Sequence, residues 1–225
     1  FLIEALACVK QASAMTNRDL GLLDPQVAAA IISAAEEVRQ GMWTAQFVVD
    51  VIQGGAGTST NMNANEVIAN RALELLGHPK GKYAFVHPLN HVNLSQSTND
   101  AYPTALRIAL HFAIGGLLQA MGELREGFAA KAAEFSDVIK MGRTQLQDAV
   151  PMTLGQEFST YAVMLDEDME RLREAAQLIL EINMGATAIG TGINAHPEFA
   201  ARVCQHLRRL TGIPLVTSPN LVEAT

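Results

Sequence analysis

Residues 153–183, TLGQEFSTYAVMLDEDMERLREAAQLILEIN, decide the fold class of this chain. Phe158, Leu165, Leu172 and Ile179 recur every seven residues, and Ala162, Met169 and Ala176 each follow the first three of these by four. An apolar stripe at that spacing is the inner seam of a helical bundle. A helix over the whole stretch would be a rod of about 46 Å at ~1.5 Å per residue. So short a chain folded alone could not cover a rod of that length, so the seam predicts burial against other subunits.

Working outward, the rest of the chain reads mainly as helix. Asp24-Pro25 followed by Val27, Ile31, Ala35 and Val38, then Gly41, combines an N-cap acid, a proline in the first turn, an apolar rhythm and a closing glycine. Similar readings cover 2–14, 65–76, 103–112, 117–135 and 197–210. One strand candidate stands out, the run Phe47 to Ile52, although so short an apolar run also suits a buried helical turn. No repeat, low-complexity tract or Pro/Ser-rich linker interrupts the 225 residues. The start at Phe1, within a helical pattern, and the end at Thr225 lead us to expect a piece of a longer protein.

Composition narrows the function classes. Sixteen Lys and Arg stand against 23 Asp and Glu, a formal charge of −7, so no basic face is available for nucleic acid. Any anionic ligand must be held by local groups. The least charged long stretch, 108–122, contains His111 and Gln119 and falls short of the ~20 apolar residues of a membrane span, so none is expected. Cys8 and Cys204, far apart in sequence, read as free thiols of a cytoplasmic protein.

Three polar clusters break this helical background. The first, 54–66 (GGAGTSTNMNANE), combines backbone freedom with hydroxyls ahead of a helical run; it is a capped glycine turn or a ligand loop, and it lacks the Gly-Lys-Ser/Thr of a P-loop. The second, Ser95-Gln96-Ser97-Thr98-Asn99-Asp100, leads into a helix. Helix N-termini offer unpaired N–H groups and a partial positive charge, so hydroxyls and amides there can hold a carboxylate without Lys or Arg. Capping explains one or two of these residues but not five in a row. The third, 140–157 (KMGRTQLQDAVPMTLGQE), reads as a polar loop feeding the long helix, with Arg143 either an ion-pair partner for Asp148 or Glu157 or a direct substrate contact, and with Thr144 and Gln145 as neutral donors.

Such clusters suit elimination. Taking a proton from the carbon beside a carboxylate creates an aci-carboxylate that preorganised donors must stabilise before the leaving group departs. No Gly-x-Ser-x-Gly, His-Glu-x-x-His, Cys-x-x-Cys or strand-linked Gly-x-Gly-x-x-Gly supports hydrolase, zinc or dinucleotide chemistry. His78, His87, His91, His111, His196 and His206 show no metal-ligand spacing and read as caps, surface or core.

These clusters, together with GATAIGTGIN at 185–194, resemble the aspartase/fumarase superfamily, and most closely its aspartate ammonia-lyases. The resemblance runs over essentially the whole chain. It implies a mostly α fold with a long central helix bundle, in a fragment lacking both the start and the C-terminal part of the subunit. Residues 1–95 would end the N-terminal domain and 96–225 would begin the bundle domain. It further implies a homotetramer with active sites shared between subunits and a small dicarboxylate substrate (L-aspartate or fumarate); no cofactor is expected, and no residue of this chain is assigned to a metal. By motif, Thr58, Ser97, Thr98, Asn99, Thr144 and Gln145 would bind substrate. The family's catalytic Ser lies in a Gly-Ser-Ser-x-Met-Pro-x-Lys-x-Asn loop downstream, which this chain does not contain.

Within the superfamily, Gly-Ala-Gly-Thr-Ser-Thr-Asn at 55–61 and Arg143-Thr144-Gln145 resemble aspartases, whereas fumarases carry Gly-Ser-Gly-Thr-Gln-Ser-Asn and Arg-Thr-His. Class II fumarase is the alternative. His87-Pro88-Leu89-Asn90-His91 departs from the His-Pro-Asn-Asp-Asp of fumarases, which puts their secondary dicarboxylate site in doubt here. A crystallin-like role without chemistry is a further reading, against which the retained Thr58, Ser97, Thr98, Asn99 and Thr144 argue.

Overall fold

The computed structural model describes residues 1–50, 52 and 55–225. Among the described residues six α-helices dominate: α1 (Leu2–Asp19), α2 (Pro25–Arg39), α3 (Thr58–Leu75), α4 (Thr98–Glu134), α5 (Leu154–Leu178) and α6 (Phe199–Thr211). A single π turn spans Pro88–Val92. The strands β1 (Ile139–Thr144) and β2 (Gln147–Thr153) form an antiparallel hairpin, and the short β3 (Glu181–Ile182) and β4 (Val216–Thr217) pair in parallel. The chain divides into two compact units, 1–110 with 179–225, and 111–178.

In the first unit, α1 packs on α2 and α6, and α2 on α3. Alanine makes this possible: Ala5, Ala12, Ala34, Ala35 and Ala72 are fully buried, so the helices approach closely while Leu6, Ile31, Ile68 and Leu73 fill the space between. Each such large aliphatic side chain contributes about 1.5–3 kcal/mol through its burial. The start of α2 is as its sequence dictates, with Asp24 Oδ1 accepting from the N–H groups of Gln26 and Val27 at 2.9 and 3.1 Å.

The second unit is the later part of α4, the hairpin and α5. Gly155, Ala162, Met169 and Ala176, seven apart, are the buried residues of α5, with Phe158, Leu165 and Leu172 half-buried beside them. Phe128 of α4 and Phe135, just past its end, meet Phe158 at ring separations of 6.1 and 5.5 Å, and Arg125 pairs with Asp166 at 3.1 Å. Part of the seam expected to need other subunits is therefore covered by α4 of the same chain. Gly155 is required there, because a Cβ would sit 2.4 Å from the Ala132 carbonyl oxygen.

Several boundaries differ from the sequence reading. α5 stops at Leu178 rather than Asn183, because the backbone beyond it has other partners: the Leu180 and Ile182 carbonyls accept from Val216 and Ser218, and Arg107 donates to the Glu181 carbonyl. The runs 103–112 and 117–135 form one continuous helix, which begins at Thr98. α3 begins at Thr58 instead of Asn65. The third polar cluster is a β-hairpin, not a loop. Phe47–Asp50 forms no strand, and Val51, within that candidate, lies outside the described residues, as does Gly54 at the head of the first cluster.

Candidate active site

The N-terminus of α4 organises the site. Ser97 is its N-cap: Ser97 Oγ accepts from the Asn99 N–H at 3.3 Å, and Asp100 Oδ1 reaches back to the Ser97 N–H at 2.9 Å. This reciprocal capping box accounts for Ser97 and Asp100 structurally. Thr98 and Asn99 follow on the first turn, Thr98 half-buried and Asn99 exposed.

Two other motifs converge on that turn. From the first, Asn61 of α3 donates through Nδ2 to Thr98 Oγ1 at 3.0 Å, and Gly57 presses against Tyr102 so closely that a Cβ would lie 2.5 Å from the ring. Gly57 also has φ +84°, a left-handed conformation that glycine adopts without strain. From the fourth, the N–H groups of Gly185 and Thr187 donate to Asp100 Oδ2 at 3.2 and 2.9 Å, and Asn99 Nδ2 donates to the Ala188 carbonyl at 2.7 Å. Gly55, Ala56, Gly57, Asn99 and Tyr102 line a cavity of about 430 Å³. Thr58, first residue of α3, is exposed beside the cavity's glycine loop.

Thr144 and Gln145 lie in the second unit, at the tip of the β-hairpin. Thr144 pairs with Gln147, so Gln145 and Leu146 form the two-residue turn, both with positive φ, 50° and 63°. Both φ values are those of a type I′ turn, normally occupied by Asn-Gly. Here two L side chains hold it under strain. Arg143 pairs with Asp148 at 3.2 Å, both exposed, and Lys140 pairs with Glu157. The ion-pair reading of Arg143 is thus the one the structure shows, and the expected partner Glu157 belongs to Lys140.

Behind the α4 turn lies a polar core that the sequence reading missed. Lys10, on α1, is fully buried, and its Nζ donates to Asn93 Oδ1 and Gln96 Oε1, both at 2.9 Å. Asn93 Oδ1 also accepts from Asn61 at 3.3 Å and Asn65 at 3.2 Å. Asn17 joins the network, accepting from Ser95 Oγ at 2.8 Å and donating to the Leu94 carbonyl at 3.0 Å. Burial pulls the Lys10 ammonium down to about 7, with the negative field of Asp100 opposing. Burial pushes the Asp100 carboxyl up to about 6, opposed by the N–H groups of Ser97, Thr187 and Gly185 and by the charge of Lys10. The sequence signal was a lysine among Leu6, Val9, Ser13 and Ala14 on the inner side of a helix, a position where a charge must find partners.

His87 and His206 make structural contacts. His87 Nδ1 accepts from the N–H groups of Leu89 and Asn90, and His206 contacts Asp19 at 3.0 Å.

With this geometry in place, the comparisons with known proteins are decisive. A family profile described as lyase matches residues 2–225. The chain belongs to the aspartase/fumarase superfamily. It is 56% identical over 223 residues to the aspartate ammonia-lyase of Helicobacter pylori (strain J99), covering 99% of this chain and 48% of that protein. Among solved structures it matches fumarate lyase:delta crystallin from Brucella melitensis, with TM-score 0.97 and 54% identity over 99% of this chain and 48% of that one. A class II fumarase from Schistosoma mansoni matches with TM-score 0.91 at 36% identity, over 99% of this chain and 50% of that one. The chain spans about half the length of the curated relatives it matches. The mostly helical, superfamily-like fold expected from the four motifs is the one observed.

Proposed function

We propose that the full-length protein is an aspartate ammonia-lyase, releasing ammonia from L-aspartate to give fumarate. One observation carries this reading: three motifs resembling those of aspartases gather at the N-terminus of α4, beside a cavity lined by Gly55, Ala56, Gly57, Asn99 and Tyr102. The 56% identity to a curated aspartate ammonia-lyase, against 36% to the fumarase structure, supports ammonia rather than water as the leaving group.

In the proposed reaction a base takes the proton from the carbon beside one carboxylate, and the electron pair moves onto that carboxylate as an aci-dianion. It then returns to form the double bond as the carbon–nitrogen bond breaks and ammonia leaves. Donors held before the reaction begins stabilise the growing charge without reorganising. Thr58 contacts substrate, Ser97, Thr98 and Asn99 bind one carboxylate and the amino group, and Thr144 and Gln145 bind the other carboxylate and the neighbourhood of the leaving group. The base is a serine in the part of the protein beyond this chain.

The organisation proposed for the whole subunit places the end of an N-terminal domain at 1–95 and the start of a central bundle domain at 96–225. We further propose a cytoplasmic homotetramer whose central helices pack together and whose active sites are shared. Among the described residues, α4 is the one helix that by length and composition could cross a membrane; its exposed apolar face is instead assigned to this packing. Fumarate appearance at 240 nm, from equal concentrations of L-aspartate and L-malate, tests the function. Faster formation from L-aspartate is expected, and faster formation from L-malate would give the fumarase reading instead.

A further inference from the structure

We propose that Lys10 is a positioning residue for substrate binding: through Asn93 and Asn61 it fixes the direction in which the Thr98 hydroxyl donates. The inference rests on the reading of Thr98 as a substrate-binding residue and extends it to a residue that no motif marks.

The argument follows the hydrogen bonds. Lys10 Nζ is a donor only, and its two acceptors, Asn93 Oδ1 and Gln96 Oε1, belong to the segment leading into α4. Anchored by Lys10, Asn93 Oδ1 takes one N–H of Asn61 at 3.3 Å. The remaining N–H of Asn61 goes to Thr98 Oγ1 at 3.0 Å. A threonine oxygen that accepts from a fixed amide keeps its own proton for another acceptor, and on the exposed side of the α4 turn that acceptor is a substrate carboxylate. Without Lys10, Asn93 Oδ1 loses its charged donor and keeps only the amide N–H groups of Asn61 and Asn65, so its position, and with it the direction of Asn61, is held less firmly.

Burial makes the arrangement more than ordinary packing. Lys10, Asn61 and Asn65 are each 0% exposed, so their geometry is not shared with solvent. A lysine inserted wholly into the unit and tied to two neutral amides carries a desolvation penalty that hydrophobic packing would avoid. Lys10 and Asp100 form no direct ion pair, and between them they bracket Ser97 to Asn99: Asp100 holds the Ser97 backbone, and Lys10 holds the amides behind Thr98.

The experiment is a double-mutant cycle in the full-length enzyme with L-aspartate as substrate. Thr98→Val alone should lower kcat/KM by at least tenfold; no change would mean that Thr98 does not bind substrate, and the site assignment itself would fail. Given that loss, Lys10→Met should raise KM by about tenfold or more with kcat within a few-fold of wild type. In the Thr98→Val background the same Lys10→Met change should alter KM by less than about twofold, because its effect passes through Thr98. Unchanged KM, or an equal rise in both backgrounds, would show that Lys10 only supports the fold, with the Thr98 assignment intact. If Lys10→Met does not fold, Asn61→Ala decides. It leaves both Lys10 bonds in place and cuts the route to Thr98, so it should reproduce the KM rise and its loss in the Thr98→Val background. Normal KM in Asn61→Ala would overturn the proposal.

Discussion

At the level of single residues, the proposed site holds its anion with hydroxyls and amides in place of charge. Removing one preorganised donor from a site where charge develops typically lowers the rate by about 10²- to 10³-fold. Thr144→Val in the full-length enzyme should show a loss of that size in kcat/KM for L-aspartate, and near-normal kinetics would reduce Thr144 to a strand-end residue. Lys10 gives a second expectation, with a definite sign. Its pKa is about 7 in the folded chain and near 10.5 unfolded, so between those values the unfolded state binds the extra proton and stability rises with pH. Relative to Lys10→Met, the wild-type protein should become more stable as pH increases from about 7 towards 10. Thermal melts of both proteins at pH 7 and 9.5 measure this, and a constant difference between them would contradict the burial-driven shift.

The β-hairpin shows an element whose local chemistry opposes its geometry. Gln145 and Leu146 occupy left-handed positions that glycine and asparagine favour, at a cost of about 1 kcal/mol each. Strain of this kind persists where surrounding structure over-determines it, and here it falls on a proposed substrate-binding residue. Leu146 is 99% exposed, so its side chain packs on nothing within the subunit. Leu146→Gly should therefore stabilise the protein by about 1 kcal/mol in chemical denaturation. A loss of stability would show that the leucine is buried by another subunit. The segment has no strand signature in its sequence, because Lys140, Arg143, Gln147 and Asp148 give no apolar alternation and the turn lacks Asn-Gly. The strands form because residues 139–153 pair with each other, with their ends fixed to α4 and α5: Leu154 donates to the Val138 carbonyl and Gly155 to that of Phe135.

For the whole molecule, the question is what covers α4. The seam on α5 is partly satisfied by α4 itself, yet Leu117 and Leu124, seven residues apart on α4, are each about half exposed, at 49% and 52%. Apolar side chains at that spacing gain by packing against the same face of another subunit, at about 25 cal/mol per Å² buried. In the proposed tetramer Leu117→Glu or Leu124→Glu would bury an unpaired charge. Light scattering of either variant should show smaller species, with far-ultraviolet circular dichroism retained and aspartase activity lost alongside assembly. A fully active monomer would disprove shared sites, and an unchanged tetramer would place the interface on another face.

The sequence by itself determined the helical class, the seam of α5, the start of α2 and the superfamily, because periodicity, caps and motifs are local patterns along the chain. It also set apart the five consecutive hydroxyls and amides from Ser95 to Asn99, of which the structure uses Ser97, together with Asp100, to cap α4. Only the tertiary structure decided that Asp100 gathers Gly185 and Thr187, that Asn61 reaches Thr98, and that Lys10 stands behind both. These contacts join positions 37 to 87 residues apart, and no periodic pattern encodes which polar groups meet. The end of α5 was likewise set from a distance. Its sequence continues the apolar rhythm past Leu178, but the backbone of 180–182 finds hydrogen-bond partners in β4 and Arg107, and that competition outweighs local helix preference.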